Sequence, residues 1–240
     1  MTTMDTDVQR VENGAAEDLA AAALSLARRF AAGATMWCVA REWPAHGRHV
    51  AVEFVHPVIV GKKALPAVNV EGADVTAALR LLARPGDLLL AVSSADDTAT
   101  AGLLRRAEAW GVTRVWLGAG PRPAAGRAEH TVWLEGADPT MSARSGDLVL
   151  LYHLLWELTQ VVFEHPGLLV EEVGCSGDDV CITCSDEGRV AEVRAIRGDG
   201  IAAVVARGGQ ESIDVTLVEP VSVGDLLLVH AGVALATLES

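Results

Sequence analysis

Two sets of side chains in this sequence have the types and spacing to do metal chemistry. The first lies toward the C-terminus, where Cys181 and Cys184 form a C-x-x-C pair, Cys175 precedes them, and His230 ends an apolar run that starts at Leu226. A thiolate and an imidazole are a soft and a borderline ligand, a natural pair for a transition metal. The spacing alone leaves several readings open. A structural zinc site wants a second pair, and only Cys175 and His230 are on hand for it. A thioredoxin-type redox pair needs a βα junction, whereas this one precedes a strand. The second set is His46, His49, Glu53 and His56, spaced at 3, 4 and 3 and so on one face of a helix, with His153 on another helix. Two histidines and a carboxylate suit zinc or iron, although a polar helix face with capping residues has the same pattern. Cys38 reads as strand core, and His130 and His165 as surface histidines without a role.

The elements that must carry these residues fall into two groups. From Asp18 to Glu164 helix and strand signals alternate. Helices are expected over 18–32, 46–56, 75–83, 97–110 and 146–163, and strands over 35–40, 65–70, 87–93, 113–117 and 131–134. The stretch Asp87 to Ser93 is continuously apolar, as in a strand buried on both faces. Such alternation predicts an α/β domain, a parallel sheet with helices on both faces. A Gly/Pro/Ala loop covers 121–129, and His165-Pro166-Gly167 ends the last helix. After Gly174 the pattern changes. Short β-branched or alternating runs at 189–195, 201–207, 210–218 and 226–230, with hairpin signals at Gly198-Asp199-Gly200 and Gly208-Gly209, predict a small all-β, OB-like barrel. The expected organisation is a disordered N-terminal segment over 1–17, an α/β domain over 18–168 and a barrel over 175–240.

Composition bounds the partners. The net charge of −13 argues against nucleic acid, which needs a basic face. Half of the 240 residues are hydrophobic, enough for a sizeable core. The polar, acidic start lacks the regions of a signal peptide, and no apolar run is long enough to span a bilayer. Three cysteines crowded into ten positions suit ligation or redox chemistry rather than a disulfide scaffold, so a reducing cytoplasm is the expected setting.

Two resemblances follow from particular residues. The segment Val223-Gly224-Asp225-Leu226-Leu227-Leu228-Val229-His230-Ala231-Gly232-Val233-Ala234 resembles the "V-G-D-x-V-L-V-H-x-G-x-A" signature of the HypC/HupF family of [NiFe]-hydrogenase maturation chaperones. In that family a cysteine and this histidine are the functional pair. Cys184, four residues before Gly188, is the nearest match to the cysteine, and Cys181 is its substitute. Here the cysteine is internal, and Glu187 stands where the family has proline. The N-terminal part is similar to the sugar-isomerase (SIS) fold, and within it to phosphoheptose isomerase. The similarity rests on Gly47 to Phe54 with Ala64 to Ala67, on Asp87 to Ser94 and on Ala107 to Leu117. There a His-x-x-x-Glu helix and a last-helix histidine form the catalytic and metal-binding set, places occupied here by His49, Glu53 and His153.

The isomerase phosphate loop is a serine-rich S-x-S-G-x-S turn, whose hydroxyls and backbone N–H groups hold an anion at a helix start. This chain reads Ser93-Ser94-Ala95-Asp96-Asp97-Thr98, with the glycine missing and two carboxylates added. Ser145 stands where the isomerases carry a glutamine. Asp96 or Asp97 is expected as an N-cap instead. The HypC/HupF resemblance implies a metallochaperone that takes an Fe(CN)2CO fragment from an iron-cofactor assembly scaffold of the HypD type. It would hold the iron on Cys184 (or Cys181) and His230 and pass it to the hydrogenase large-subunit precursor. The SIS resemblance implies homo-oligomers and a divalent metal such as zinc at His49, Glu53 and His153. The alternative is a metal-dependent sugar-phosphate isomerase-like enzyme, with Glu53 and His153 catalytic and the barrel regulatory.

Overall fold

The computed structural model describes residues 3–170, 188–218 and 220–238, with side chains from residue 15 onward. The first domain is the expected α/β sandwich. Five parallel strands, β1 (Met36–Val39), β2 (Ala67–Asn69), β3 (Leu88–Val92), β4 (Thr113–Gly120) and β5 (His130–Glu135), lie in the order β2-β1-β3-β4-β5. Every residue of β3 and β4 is buried, because helices cover both faces of the sheet. On one face α1 (Thr3–Ala31), α2 (Pro44–Val55) and α6 (Asp147–Glu164) close over Met36, Cys38, Leu88, Leu90, Val115, Leu117 and Val132. On the other, α3 (Val75–Leu82) and α4 (Thr98–Ala109) cover Val39, Leu89, Ala91, Trp116 and Trp133. The alternation of a strand sends neighbouring residues to opposite faces, so Leu88 and Leu90 meet one layer and Leu89 and Ala91 the other.

Two elements of this domain differ from expectation. Helix α1 begins at Thr3, not Asp18, and takes in most of the segment expected to be disordered over 1–17. That stretch carries no proline, and its one glycine, Gly14, is followed at once by alanines, the strongest helix formers, so the helix runs through it. A short helix, α5 (Pro139–Ser145), precedes α6. Its start and stop are chemically plain: Asp138 accepts the N–H of Met141 at 2.8 Å, Pro139 opens the first turn, and Gly146 ends it at φ 93°.

The second domain is a closed barrel of β6 (Arg189–Gly198), β7 (Ile201–Ala206), β8 (Gly209–Asp214), β9 (Leu226–His230) and β10 (Val233–Leu238), in the order β10-β8-β7-β6-β9. Both expected glycine turns join strands here. The strand expected over 210–218 ends at Asp214, and β10 is an addition that closes the barrel by pairing with both β9 and β8. Inside are Ala191, Val193, Val204, Ile213, Leu227 and Val229.

The barrel sits on α3 and α4. Leu226 and Val205 join the core of the α/β domain, and Glu192, which points out of the barrel between Ala191 and Val193, is fully buried. Its carboxylate accepts from Trp110 Nε1 at 2.8 Å and from Arg106 Nη1 at 3.0 Å, and is also bonded by Arg80. Arg106 donates onward to the Gly224 carbonyl at 2.5 Å. The β7–β8 turn reaches the end of α4, where Gly208 donates to the Ala109 carbonyl at 2.9 Å. Gly208 has φ 79°, and a Cβ there would lie 2.6 Å from Pro85, so only glycine closes this seam.

Breaking a buried ion pair from one side leaves the other charges uncompensated. Glu192→Ala is therefore expected to destabilise the protein by about 3–5 kcal/mol. Replacing Glu192, Arg80 and Arg106 together by methionine should recover most of that loss. Urea denaturation of the three proteins checks both outcomes.

Candidate functional site

The α2–α6 seam brings together three of the residues singled out in the sequence. His49 and Glu53 lie one turn apart on α2, and His153 faces them from α6. His49 Nε2 is 3.1 Å from Glu53 Oε1, His153 Nε2 is 3.4 Å from the same oxygen, and the two ring nitrogens are 3.4 Å apart. All three side chains are partly exposed, with Glu53 the most enclosed. A triangle with these sides has a circumradius of about 1.9 Å, so a point slightly out of its plane is 2.0–2.1 Å from all three atoms. That is zinc–nitrogen and zinc–carboxylate bonding distance, and the edge lengths are those of one face of a tetrahedron at that radius. The donor set therefore fits a divalent cation, and each of the three side chains is partly open to solvent.

The other two histidines of the α2 face part company with this cluster. His56 is exposed at the end of α2 and outside the group. His46 is buried and faces inward: its Nε2 is 2.9 Å from the Ala143 carbonyl and its Nδ1 is 3.3 Å from the Tyr152 hydroxyl. Tyr152 in turn lies 2.8 Å from His49 Nδ1. Burial, with Glu53 nearby, pushes the Tyr152 hydroxyl far above its ordinary pKa, so it remains a neutral phenol. Sequence reasoning passed over Tyr152, the single tyrosine of the chain, set in the apolar run of α6. A buried phenol needs a polar partner, and that was the available signal.

The β3–α4 turn is closed from within. In the strand order β2-β1-β3-β4-β5, the chain leaves β1 toward one edge and β3 toward the other, so the crevice beyond these two strands is the topological switch point where α/β folds bind ligands. Here Glu42, just past β1, reaches across it. Ser94 donates its N–H to Glu42 Oε2 at 2.7 Å and its hydroxyl to Glu42 Oε1 at 3.1 Å. The donors that would hold an anion hold this carboxylate. Asp97 caps α4, accepting from the N–H of Thr100 at 3.0 Å, while the Ser93 hydroxyl accepts from Trp116 Nε1 at 3.0 Å. Ser145 bonds Asp147 at 2.7 Å between α5 and α6 and stays out of the cluster. Glu42 was not singled out in the sequence, since nothing local marks its reach.

Cys175, Cys181 and Cys184 lie outside the described residues. Cys38 is buried in β1, and burial pushes its thiol far up, so it offers no thiolate. His230 ends β9 at a two-residue turn in which Ala231 and Gly232 have φ 47° and 82°. The β6–β9 register pairs Arg189 with Val229, so Gly188 stands level with His230 one step further on.

Residues 188–240 match the HupF/HypC family. No curated protein matches the chain. Among solved structures it is similar to a phosphoheptose isomerase from Francisella tularensis, at 14% identity and a TM-score of 0.54, over 67% of this chain and 100% of that one. It is also similar to phosphoheptose isomerase GmhA from Neisseria gonorrhoeae, at 17% identity and a TM-score of 0.50, over 66% and 95%. At such identity the likeness defines the fold of the first domain. The chain thus joins an SIS-like α/β domain to a HupF/HypC-like barrel. Among the described residues no helix is long and apolar enough to cross a membrane.

A carboxylate already seated on Ser94 repels a second anion. Millimolar inorganic phosphate is expected to leave the melting temperature unchanged, because a ligand stabilises only what it binds. Sedoheptulose 7-phosphate is expected to show no isomerase turnover, where an ordinary enzyme would give about 1–1000 per second. Thermal melts and a coupled assay check the two outcomes.

Proposed function

We propose that this chain is a [NiFe]-hydrogenase maturation chaperone. Its barrel carries an iron fragment with cyanide and carbonyl ligands between the thiolate of Cys184 (or Cys181) and His230. It receives this cargo from an iron-cofactor assembly scaffold of the HypD type and hands it to the large-subunit precursor. One observation carries the reading: the stretch that matches the HupF/HypC family begins at Gly188, level with His230 in the β6–β9 register and four residues after Cys184. Four residues reach at most about 14 Å, so the thiol is tethered within range of the imidazole. A thiolate suits a soft, strong-field iron centre, and a neutral imidazole completes its coordination.

In this reading the SIS-like domain does not isomerise sugar phosphates, because Glu42 fills its anion turn. His49, Glu53 and His153 hold a divalent cation, zinc or ferrous iron, which when bound supplies a Lewis-acidic centre with an open position. The same cluster favours a second reading, a metal-dependent isomerase-like enzyme working at Glu53 and His153 with the barrel as a regulatory appendage. Turnover of a neutral or phosphorylated sugar that needs Glu53 would establish it.

The chaperone reading is tested on protein purified without oxygen, by iron analysis and infrared spectroscopy in the cyanide and carbonyl stretching region. Wild type is expected to carry iron with those bands, and His230→Ala and Cys184→Ala to lose them. Both variants should abolish hydrogenase maturation while melting as wild type does, since His230 ends a strand rather than filling the barrel interior. Full maturation with Cys184→Ala would move the role to Cys181, and full maturation with both cysteines replaced would end the proposal.

A further inference from the structure

We propose that Tyr152 and His46 are positioning residues that fix the tautomer of His49 so that its Nε2 lone pair faces the cation site. The inference rests on the reading of His49, Glu53 and His153 as cation ligands, and extends it to groups that touch no cation. It follows from counting donors along one chain of contacts. The Ala143 carbonyl can only accept, so His46 Nε2, 2.9 Å away, carries a hydrogen. A neutral His46 then has an acceptor at Nδ1, and the group facing it at 3.3 Å is the Tyr152 hydroxyl. Tyr152 has one hydrogen to give. Having given it to His46, its oxygen accepts from His49 Nδ1–H at 2.8 Å. A neutral His49 with its hydrogen on Nδ1 presents a bare lone pair at Nε2, the atom 3.1 Å from the Glu53 carboxylate.

A lone pair facing a carboxylate at that distance is repulsive unless something positive stands beside both. His153 Nε2–H can serve while the site is empty, since it lies 3.4 Å from each. A divalent cation serves better, because it replaces one shared hydrogen by three bonds. The relay thus holds His49 in the form a cation needs and denies it the form in which Nε2–H would simply pair with Glu53. It also fixes the ring plane: the Tyr152 and His49 rings meet edge to face at 78°, with centroids 5.3 Å apart. Backbone, His46, Tyr152 and His49 form an outer shell of the kind that orients histidine ligands in metal sites. The anchor is the last turns of α5, so the short helix missing from the sequence reading is what supplies the terminal acceptor.

The test uses the full chain with Cys175, Cys181 and Cys184 changed to serine, so that no thiolate in that segment competes for zinc. Zinc affinity is measured by competition with a chromophoric chelator, and the His49 tautomer by nitrogen-15 chemical shifts of the zinc-free protein. In the otherwise unchanged background, zinc is expected to bind, with His49 carrying its hydrogen on Nδ1. Tyr152→Phe should weaken zinc about 10–100-fold and shift the His49 tautomer toward Nε2–H. His46→Gln can accept from Tyr152 and donate to Ala143 through one amide, so it should retain affinity where His46→Leu loses it. Equal zinc affinity in the background protein and Tyr152→Phe overturns the relay and leaves the cation reading standing. A lower melting temperature with unchanged affinity and tautomer does the same, by reducing Tyr152 to a packing role. If the background protein binds no zinc, the cation reading fails, and Nε2–H on His49 there overturns the relay as well. Should Tyr152→Phe not fold, the pair His46→Leu and His46→Gln decides alone.

Discussion

The buried carboxylate of Glu192 is the interaction on which the arrangement of this molecule depends. A lone ionised carboxylate out of water is costly, and the cost is offset only when charged and polar donors surround it. Here the hydrogen-bond donors come from two helices of the other domain, Arg80 on α3 and Arg106 at the end of α4 with Trp110 just beyond it, and the barrel adds Arg194 as an ion pair at 3.4 Å. Without those helices the carboxylate loses these three hydrogen-bond donors. Separated, the barrel exposes Leu226 and Val205 along with the acid, and the α/β domain exposes two guanidinium groups beside an apolar patch. Specific bonding and apolar burial at one seam therefore select a single docking geometry. Because α3 and α4 cover one face of the sheet and α2 and α6 the other, the barrel lies across the sheet from the histidine–glutamate cluster. His230, on the barrel, and His49, on α2, therefore lie on opposite sides of the sheet.

The first domain combines a side-chain cluster of cation-binding dimensions with a filled turn at its topological switch point. The His49, Glu53 and His153 triangle has the dimensions of a tetrahedral face, while the anion turn is taken by Glu42. An internal carboxylate is an effective block because it is tethered: it competes at a local concentration that a free phosphate cannot match. The SIS-like fold is maintained meanwhile by its two-faced sheet, where Trp116 and Trp133 pack edge to face beside the closed turn at a centroid distance of 5.5 Å.

Much of this was legible in the chain, for physical reasons that also mark the limits. The all-apolar β3 announced a strand covered on both faces, and the 3.6-residue period placed His49 and Glu53 on one side of a helix. Both domains and nearly all of their elements could be read from periodicity and turn glycines. What local pattern could not show was anything whose partner lies far along the chain. Glu192 alternates with Ala191 and Val193 like any outward polar residue of a strand, and it is buried only because a second domain docks on it. Glu42 sits in an ordinary loop, 52 residues from Ser94. His153 meets His49 over a separation of 104 residues, so resemblance rather than spacing brought the two together. Helix α5 was within reach, since Asp138, Pro139 and Gly146 are its start and stop signals, but seven residues give too few turns for a period to stand out.

The two ends of the segment 171–187 are held independently of it. Before it, Arg28 on α1 donates to the carbonyls of Leu168 at 3.0 Å and Val170 at 3.2 Å. After it, Arg189 enters β6 and pairs with Glu211 through two bonds of 3.1 and 2.6 Å. The separation between residues 170 and 188 is thus set when the two domains fold and dock. In the proposed function, four residues of chain tether the Cys184 thiol to Gly188, which is level with His230, and so give an effective concentration on the order of millimolar or more. On that proposal, a cargo caught by either side chain meets the other without a further search, and its grip is set by chain length as much as by coordination chemistry.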